Sequence, residues 1–221
     1  MKPLHVNSWH AYNLAMDGTT TLVAVDAGAN DGGYTHTLLE HRFTVHAFEP
    51  VPAMYRKMSA RVGDNPKAFL NCMGLSDKRE VIKDVVVLEA WTIGKVGDGG
   101  LRKTPNPEVQ DTFDMHTMTL DEYLGETRIG IFKLDVDGHE FKVLRGAQKT
   151  LRRDMPPILC EFSTYLHKLF GASEPEALVK FIFELGYKVV SCDGLHEFTR
   201  WEDIKPQWPW HSSFDVMLFP R

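Results

Sequence analysis

The sequence has few of the features that mark secreted, membrane-spanning or nucleic-acid-binding proteins. Three cysteines occur among 221 residues, without a C-x-x-C pair, which argues against a disulfide framework and a zinc knuckle and favours a reducing, cytoplasmic compartment. No apolar run approaches the roughly 18 residues that a membrane-spanning helix needs. The 25 lysines and arginines are outnumbered by 30 aspartates and glutamates, so the net charge of −5 provides no positive field for nucleic acid or an anionic membrane. We therefore expect neither as a partner, and the oligomeric state is left open.

The length and composition are those of one globular domain. A chain of 221 residues lies near the upper end of an ordinary single domain, and 43% of its residues are hydrophobic, enough for a sizeable core. The segment Met1–Gly18 mixes polar with apolar residues, so no signal peptide is expected there. We predict a single domain over residues 1–221, with an N-terminal lid or extension at residues 1–20 and a variable loop at residues 92–114.

Apolar, β-branched runs alternate with helical patterns along the chain, which is typical of a mostly parallel α/β sheet. The first predicted strand ends in a glycine-rich turn, and the last two strands lie close together in sequence, as expected for an antiparallel pair at one edge. The strands are predicted at Thr21–Asp26, Thr44–Phe48, Ala68–Cys72, Ile129–Leu134, Pro157–Phe162, Lys188–Ser191 and Phe214–Phe219, and the helices at Tyr34–His41, Met54–Val62, His139–Arg152 and after Ser173, ending near Gly186.

The turn after the first strand, VDAGANDGGYT (Val25–Thr35), has the composition of a nucleotide or nucleoside site. Glycines there let the backbone turn sharply and approach a ligand, while the N–H groups at the start of a helix face it. A dinucleotide site requires G-x-G-x-x-G, but the corresponding middle position is Asn30. The spacing from Asp26 through Gly28 to Gly32 fits D-x-G-x-x-x-G instead, the first motif of the class I S-adenosylmethionine (SAM) methyltransferases.

An acidic residue ends the second strand region. Glu49 follows Asp26 by 23 residues, a position where a carboxylate can accept hydrogen bonds from both hydroxyls of a ribose. A purely structural role is the alternative, in which Glu49 caps the helix after Pro50 and Asp26 is a turn residue. The glycine turn and the strand-end carboxylate together favour a ligand that contains a nucleoside.

A second cluster of polar residues, within IFKLDVDGHE (Ile131–Glu140), follows the fourth predicted strand. Ligands of an open parallel sheet bind beyond the carboxyl ends of its strands, and Asp135 lies at such an end. Asp137 fits the N-cap of the next helix, with Glu140 at the third helical position in a reciprocal capping pattern. Asp135 and His139 are not needed as caps, which makes them stronger candidates for chemistry.

Methyl transfer to a hydroxyl requires alignment of the reactants and help in removing a proton from a weak acid. An imidazole titrates near neutral pH, so His139 is a candidate base. Glu161, near the end of the next strand, would be a neighbour if that strand lies beside the fourth. Asp135, Asp137 and Glu161 could then hold a divalent cation, which stays open as an alternative to a site without metal.

Five segments together resemble the FkbM family of SAM-dependent methyltransferases. They follow one another in the order that this family has, within residues 21–191. The long central segment is the specific one, whereas the first is shared with most class I enzymes, and at Asp137 the family more often has Glu. The segments are VDAGANDGGYT (Val25–Thr35), HAFEPVP (His46–Pro52), TLDEYL (Thr119–Leu124), IFKLDVDGHEFKVLRGA (Ile131–Ala147) and PILCEF (Pro157–Phe162).

The resemblance implies a Rossmann-like class I methyltransferase fold, with a mostly parallel seven-stranded sheet flanked by helices and an antiparallel last strand. It also implies SAM as the cofactor and O-methylation of a hydroxyl on a sugar or glycan, a polyketide or a related small metabolite. Matched by position, Gly28, Asn30 and Gly32 would line the methionine part of SAM, Glu49 would bind its ribose, Ser76 and Asp77 would lie beside adenine, and Asp135 would face the methyl-transfer centre.

The sequence thus predicts a SAM-dependent O-methyltransferase that acts on a small-molecule or glycan acceptor, with the variable loop at residues 92–114 as the acceptor loop. Two other functions stay open: an NAD-dependent Rossmann oxidoreductase, against which Asn30 counts, and a SAM-binding module without catalysis. For the chemistry we expect Asp135, His139 and Glu161, with Asp137 second. For cofactor binding we expect Asp26, Gly28, Asn30, Gly32, Glu49, Ser76, Asp77 and Asp135.

Overall fold

The computed structural model describes residues 9–87, 93–95, 112–163, 175–192, 194, 196–205 and 213–221. Residues 1–8 of the predicted lid, most of the predicted acceptor loop at residues 92–114, and Ser173 at the predicted start of a helix lie outside the described residues. In the rest of the lid segment, residues Trp9–Gly18 form a helix, and its Tyr12 side chain is fully buried. This helix is therefore packed onto the core.

Strands and helices alternate through most of the described chain, as the sequence predicts. The strands are β1 (Val23–Ala27), β2 (Thr44–Phe48), β3 (Ala68–Asn71), β4 (Gly74–Leu75), β5 (Glu80–Val87), β6 (Ile93–Lys95), β7 (Phe113–Met118), β8 (Ile131–Leu134), β9 (Ile158–Ser163), β10 (Tyr187–Ser191), β11 (Glu197–Phe198) and β12 (Ser213–Pro220). The helices are α1 (Trp9–Gly18), α2 (Gly33–Glu40), α3 (Pro52–Val62), α4 (Leu120–Leu124), α5 (Glu140–Arg145), α6 (Gln148–Asp154), α7 (Pro175–Glu184) and α8 (Trp201–Ile204).

The larger sheet has the strand order β11-β10-β12-β9-β8-β1-β2-β3. Five strands, β3, β2, β1, β8 and β9, pair in parallel, whereas β12 is antiparallel to both β9 and β10. Seven of the strands are the predicted ones. The eighth, β11, has two residues and extends the edge beyond β10. Within the described residues this sheet thus has eight strands and not the predicted seven, because a two-residue strand is too short to produce a hydrophobic pattern.

A smaller sheet, with the order β4-β7-β5-β6 in the described residues, was not predicted. Strands β5 and β7 pair antiparallel, and the register shifts between Ile82 and Val85, where Asp84 has a φ of 55°. Such a bulge disturbs the alternation of apolar and polar residues that identifies a strand in a sequence. The smaller sheet places Ile82, Met115 and Thr117 against the cavity described below.

The helices cover both faces of the larger sheet. One buried cluster contains residues of α4–α7, including Leu120, Leu144 and Leu178, and the other contains Tyr12 and Leu38 of α1 and α2. Neighbouring strand residues alternate between the two clusters, which is the period of two that a β-strand imposes. None of the described helices is long and apolar enough to cross a membrane.

The predicted helix over His139–Arg152 is two helices, α5 and α6, with a break at Gly146. A Cβ atom on Gly146 would lie 2.0 Å from the carbonyl oxygen of Ser76, so this position must be glycine for the two segments to pack. The side chain of Asp121 then accepts hydrogen bonds from two N–H groups of the first turn of α6, those of Lys149 (3.0 Å) and Thr150 (2.8 Å). The prediction of one helix was wrong because contacts with distant segments end α5 and start α6.

Candidate functional site

A cavity of about 500 Å³ opens at the carboxyl ends of β1, β2 and β8. This volume is within the range of small-molecule sites, about 300–1,000 Å³. Its walls are the β1–α2 turn, the segment from the end of β2 into α3, the smaller sheet, and the β8–α5 turn. The cavity therefore brings together the two sequence clusters that were predicted to hold a ligand.

The β1–α2 turn is held tightly against the strands beside it. The N–H groups of Gly28 and Ala29 both donate to the carbonyl oxygen of Phe48, at 3.0 Å. Gly28 has a φ of 75°, and a Cβ atom there would lie 1.7 Å from the carbonyl oxygen of Asp135. This glycine is thus required for the close approach of the turn to the end of β8.

The other residues of the glycine motif differ in their exposure to the cavity. Asn30 lines it and has a φ of 52°. Gly32 is the N-cap of α2, with a φ of 84°, and a Cβ atom there would meet the side chain of Met58 on α3 at 3.0 Å. Gly32 is not among the residues that line the cavity, so its conformation serves helix packing.

Glu49 connects the two turns at the ends of β1 and β2. Its side chain is 5% exposed, and its carboxylate accepts hydrogen bonds from the N–H groups of Asn30 and Val51, each at 2.8 Å. Burial raises the pKa of Glu49 to about 7, against the opposing effect of these hydrogen bonds. Each carboxylate oxygen can accept more than one hydrogen bond, so the side chain retains capacity for a ligand in the cavity it lines.

Asp26 lies beneath the turn and does not line the cavity. It is fully buried, accepts a hydrogen bond from the hydroxyl of Thr35 at 2.6 Å, and lies 3.6 Å from the ammonium of Lys133. Burial raises the pKa of Asp26, although Lys133 and Thr35 act in the opposite direction. The structure therefore gives Asp26 partners within the protein instead of direct access to a ligand.

Lys133 is a residue of this site that the sequence analysis missed. Its Nζ atom donates to the carbonyl oxygen of Gly28 at 2.6 Å and lies 3.2 Å from the carboxylate of Asp135. Burial acts to lower the pKa of Lys133, but Asp135 and Asp26 outweigh it and raise that pKa above its ordinary value. The signal was present in the sequence: Lys133 is a charged residue between the apolar residues of a buried strand.

The β8–α5 turn brings Asp135, Asp137 and His139 to the cavity. The prediction that Asp137 is an N-cap was wrong: His139 is the N-cap of α5, and Asp137 has a φ of 53° in a turn. Glu140 is the first residue of α5. Its Oε1 atom accepts hydrogen bonds from the N–H groups of Val136 (3.1 Å) and Gly138 (3.2 Å).

Three carboxylates converge behind this turn. Strand β9 pairs with β8, so Glu161 comes near Asp135 and Asp137, and one oxygen of each lies within 4.8 Å of the others. Burial and the neighbouring carboxylates, with Asp135 first among them, raise the pKa of Glu161 to about 9. Oxygen ligands at this separation suit a hard divalent cation. Without a cation, Glu161 retains its proton at neutral pH. Glu161 does not itself line the cavity.

The two predicted adenine neighbours, Ser76 and Asp77, have different surroundings. Ser76 is buried and lines the cavity. Asp77 is not among the lining residues, and its carboxylate accepts a hydrogen bond from Arg145 at 2.6 Å. The lining also contains an apolar wall that the sequence did not indicate, because its members come from the start of α3 and from three strands of the smaller sheet: Val51, Met54, Leu75 (the neighbour of Ser76), Ile82 and Met115.

Comparisons with known proteins identify the family and the fold of this chain. The Methyltransferase FkbM domain family matches residues 26–189. A crystal structure of the methyltransferase FkbM from Methylobacillus flagellatus KT has a similar fold, with a TM-score of 0.53 and 15% identity over 90% of this chain. The match spans 43% of that protein, so this chain corresponds to less than half of its length. No match is found among curated proteins.

Proposed function

Because the chain belongs to the FkbM methyltransferase family, we propose that it uses SAM to methylate a hydroxyl group of a sugar or glycan, a polyketide or a related small metabolite. The observation that carries the proposal is the cavity at the carboxyl ends of three parallel strands. Glycine-turn backbone borders it on one side, and the carboxylates of Glu49 and Asp135 border it on others. Ligands of open α/β sheets bind at this edge.

The charge of the cavity suits a cationic cofactor. SAM carries a positive sulfonium, and a lining of net negative charge attracts and stabilises a cation. Four acidic residues face two lysines in the lining: Asp31, Glu49, Asp135 and Asp137 against Lys133 and Lys142. This negatively charged lining would repel the pyrophosphate of NAD, which is an anion.

The residues present fit the parts of SAM. Gly28 and Asn30 would contact the methionine part, where the turn offers backbone without bulky side chains, and Glu49 would accept hydrogen bonds from the ribose hydroxyls. Adenine is flat and largely apolar on its faces, and the apolar wall beside Ser76 provides a matching surface. We assign no contact with SAM to Asp26, Gly32 or Asp77. Asp26 accepts a hydrogen bond from Thr35, Gly32 packs against Met58, and Asp77 accepts a hydrogen bond from Arg145.

When bound, SAM supplies an electrophilic methyl group. The chain itself would contribute alignment and acceptance of a proton. Asp135 is oriented by the ammonium of Lys133, so its carboxylate has a defined direction at the cavity. His139 borders the same region and is our candidate for accepting the proton of the acceptor hydroxyl, with Asp137 second.

Glu161 is less suited to the role of base. Its pKa is raised to about 9 by burial and by the nearby carboxylates, so near neutral pH it holds its own proton. A divalent cation shared with Asp135 and Asp137 would displace that proton. We treat the cation as a separate hypothesis, and we expect methyl transfer to continue in the presence of EDTA. Activity that EDTA removes and Mg²⁺ restores would assign a cation to these carboxylates.

Calorimetric titration with S-adenosylhomocysteine (SAH), SAM and NAD tests the first step. We expect SAH and SAM to bind and NAD not to bind. Binding of NAD without SAH would replace the proposal by an oxidoreductase. The second step is transfer of a labelled methyl group from SAM to a panel of hydroxylated sugars, glycans and polyketides, followed by mass spectrometry. SAH binding without transfer to any member of the panel would favour a SAM-binding module without catalysis.

A further inference from the structure

The turn between β8 and α5, residues Val136–His139, has a demanding backbone conformation. The N–H of His139 donates to the carbonyl oxygen of Val136 at 3.3 Å. The two central residues both have positive φ, 53° at Asp137 and 93° at Gly138, as a type I′ turn requires. Asp-Gly is a favoured pair for such a turn, yet positive φ remains costly for a residue with a Cβ atom. The conformation therefore benefits from support outside the turn.

Glu140 provides that support from below. Its side chain is fully buried, and its Oε1 atom accepts hydrogen bonds from the N–H groups of Val136 (3.1 Å) and Gly138 (3.2 Å). These two N–H groups are not those that close the turn or start the helix. One oxygen thus bridges the first residue of the turn and its second central residue, and removing it would leave both N–H groups without that acceptor.

The residues that this turn presents are those at the cavity. Asp137 and His139 line the cavity, whereas Glu140 does not. Asp137 also has a carboxylate oxygen within 4.8 Å of oxygens of Asp135 and Glu161. A change in the φ of Asp137 or Gly138 would redirect both side chains, because each is attached directly to the backbone of the turn.

We propose that Glu140 is a positioning residue, whose carboxylate holds the Val136–His139 turn in the shape that presents Asp137 and His139 to the cavity. Its use in methyl transfer rests on the function proposed above, whereas its effect on the turn does not. The role depends on the reach of one oxygen atom and not on ionisation of the group.

Two substitutions separate the reach of the Glu140 side chain from its ability to ionise. Glu140→Gln keeps an oxygen at the position of Oε1, which can accept both hydrogen bonds, and removes the ionisable carboxyl group. Glu140→Asp keeps a carboxyl group but is one methylene shorter, so its oxygens cannot reach both N–H groups. Glu184→Gln, on the exposed side of α7, is a matched control for a change from carboxylate to amide.

The readouts are the exchange rate of the Gly138 amide proton and the imidazole resonances of His139, both by NMR of the full chain. In Glu140→Gln we expect the exchange rate of the Gly138 amide to stay within about threefold of the wild type, with unchanged His139 resonances. In Glu140→Asp we expect this exchange to become about tenfold faster or more, with shifted His139 resonances. The control variant should match the wild type. Circular dichroism confirms that each variant is folded.

Several results would overturn the inference: Glu140→Asp like the wild type, Glu140→Gln as disturbed as Glu140→Asp, or Glu140→Gln the more disturbed of the two. If Glu140→Asp does not fold, Glu140→Gln alone decides, because loss of Gly138 protection in that folded variant contradicts the role and retention supports it. With a methyl acceptor in hand, the transfer rate should fall in Glu140→Asp while SAH affinity stays near the wild type. A wild-type chain that does not bind SAH would refute the proposed function and leave the NMR test of Glu140 intact.

Discussion

The ammonium of Lys133 donates a hydrogen bond to the carbonyl oxygen of Gly28, at 2.6 Å, and so ties β8 to the glycine turn after β1. The same ammonium lies 3.2 Å from a carboxylate oxygen of Asp135 and 3.6 Å from one of Asp26. One positive charge among two carboxylates leaves a net negative charge beside the cavity. Lys133 thus supports the proposed cofactor site without neutralising the negative charge that would attract a cationic ligand.

Replacing Lys133 by methionine should therefore damage both folding and binding. Removing one partner of a buried charge pair typically costs about 3–5 kcal/mol, because the other charge stays buried without compensation. We expect a loss of this order in the free energy of unfolding, measured by urea denaturation, since Asp26 has no exposed surface. We also expect weaker SAH binding by calorimetry, because the turn at Gly28 loses its anchor.

Lys142→Met is the matched control for that substitution. Lys142 lines the same cavity from α5 but is only half-buried, so its removal should change stability by less than about 1 kcal/mol. Equal losses in the two variants would show that any lysine at the cavity has the same effect, and would contradict the anchoring role of Lys133.

Gly28→Ala should disrupt the β1–α2 turn. The added Cβ would lie 1.7 Å from the carbonyl oxygen of Asp135, and the φ of 75° is unfavourable for alanine. Strain of this kind and the forced displacement of the turn suggest a loss on the order of 3 kcal/mol. Thermal unfolding measures it, with Gly18→Ala as the control, since a Cβ at Gly18 meets nothing within 4 Å. Similar melting temperatures for the two variants would contradict this explanation.

Asp135→Ala should remove methyl transfer and largely preserve cofactor binding. The carboxylate lies at the end of β8 beside the cavity, where it would align or activate the reactants instead of holding the nucleoside. Loss of such a group lowers rates by about 100-fold or more. The comparison is the transfer rate against SAH affinity in the same variant, with Asp77→Asn as control because Asp77 pairs with Arg145 away from the cavity. Full turnover by Asp135→Ala on its native acceptor would refute the role.

Glu49→Ala should have the opposite profile and weaken SAH binding. The substitution removes the carboxylate that we propose binds the ribose hydroxyls and that accepts hydrogen bonds from the N–H groups of Asn30 and Val51. A decrease in affinity of about tenfold or more is expected, which corresponds to about 1.4 kcal/mol. Calorimetry with SAH measures it directly. An unchanged dissociation constant would remove Glu49 from the cofactor site.

The raised pKa of Glu49 predicts a pH dependence of stability. Burial raises this pKa from 4.5 to about 7, so the folded state binds the proton more tightly than the unfolded state. The free energy of unfolding should therefore fall as the pH rises through this interval, by on the order of 3 kcal/mol in total from this group. Urea denaturation across the interval should show a smaller decrease in Glu49→Gln than in the wild type. Parallel curves for the two proteins would contradict the shift.

Much of this molecule could be predicted from short segments. The strands β1, β2 and β8 and the helix α3 occur close to their predicted positions, because continuous apolar runs and the helical period are local properties of the chain. The motifs around Gly28 and Asp135 also indicated the family, which the family match confirms. Strands that are short or bulged, such as β11 and β5, could not be predicted, because their pattern is too brief or is interrupted.

The sequence by itself determined the alternating α/β fold, the family, and the two motifs that meet at one edge of the sheet, since each of these depends on residues close together in the chain. Only the tertiary structure decided which motif residues reach the cavity. It turned Asp26 to Thr35 and Lys133, directed Asp77 to Arg145, and brought Lys133 against Gly28, 105 residues away. Such contacts arise from strand order and register, which bring distant residues together and which no local pattern specifies.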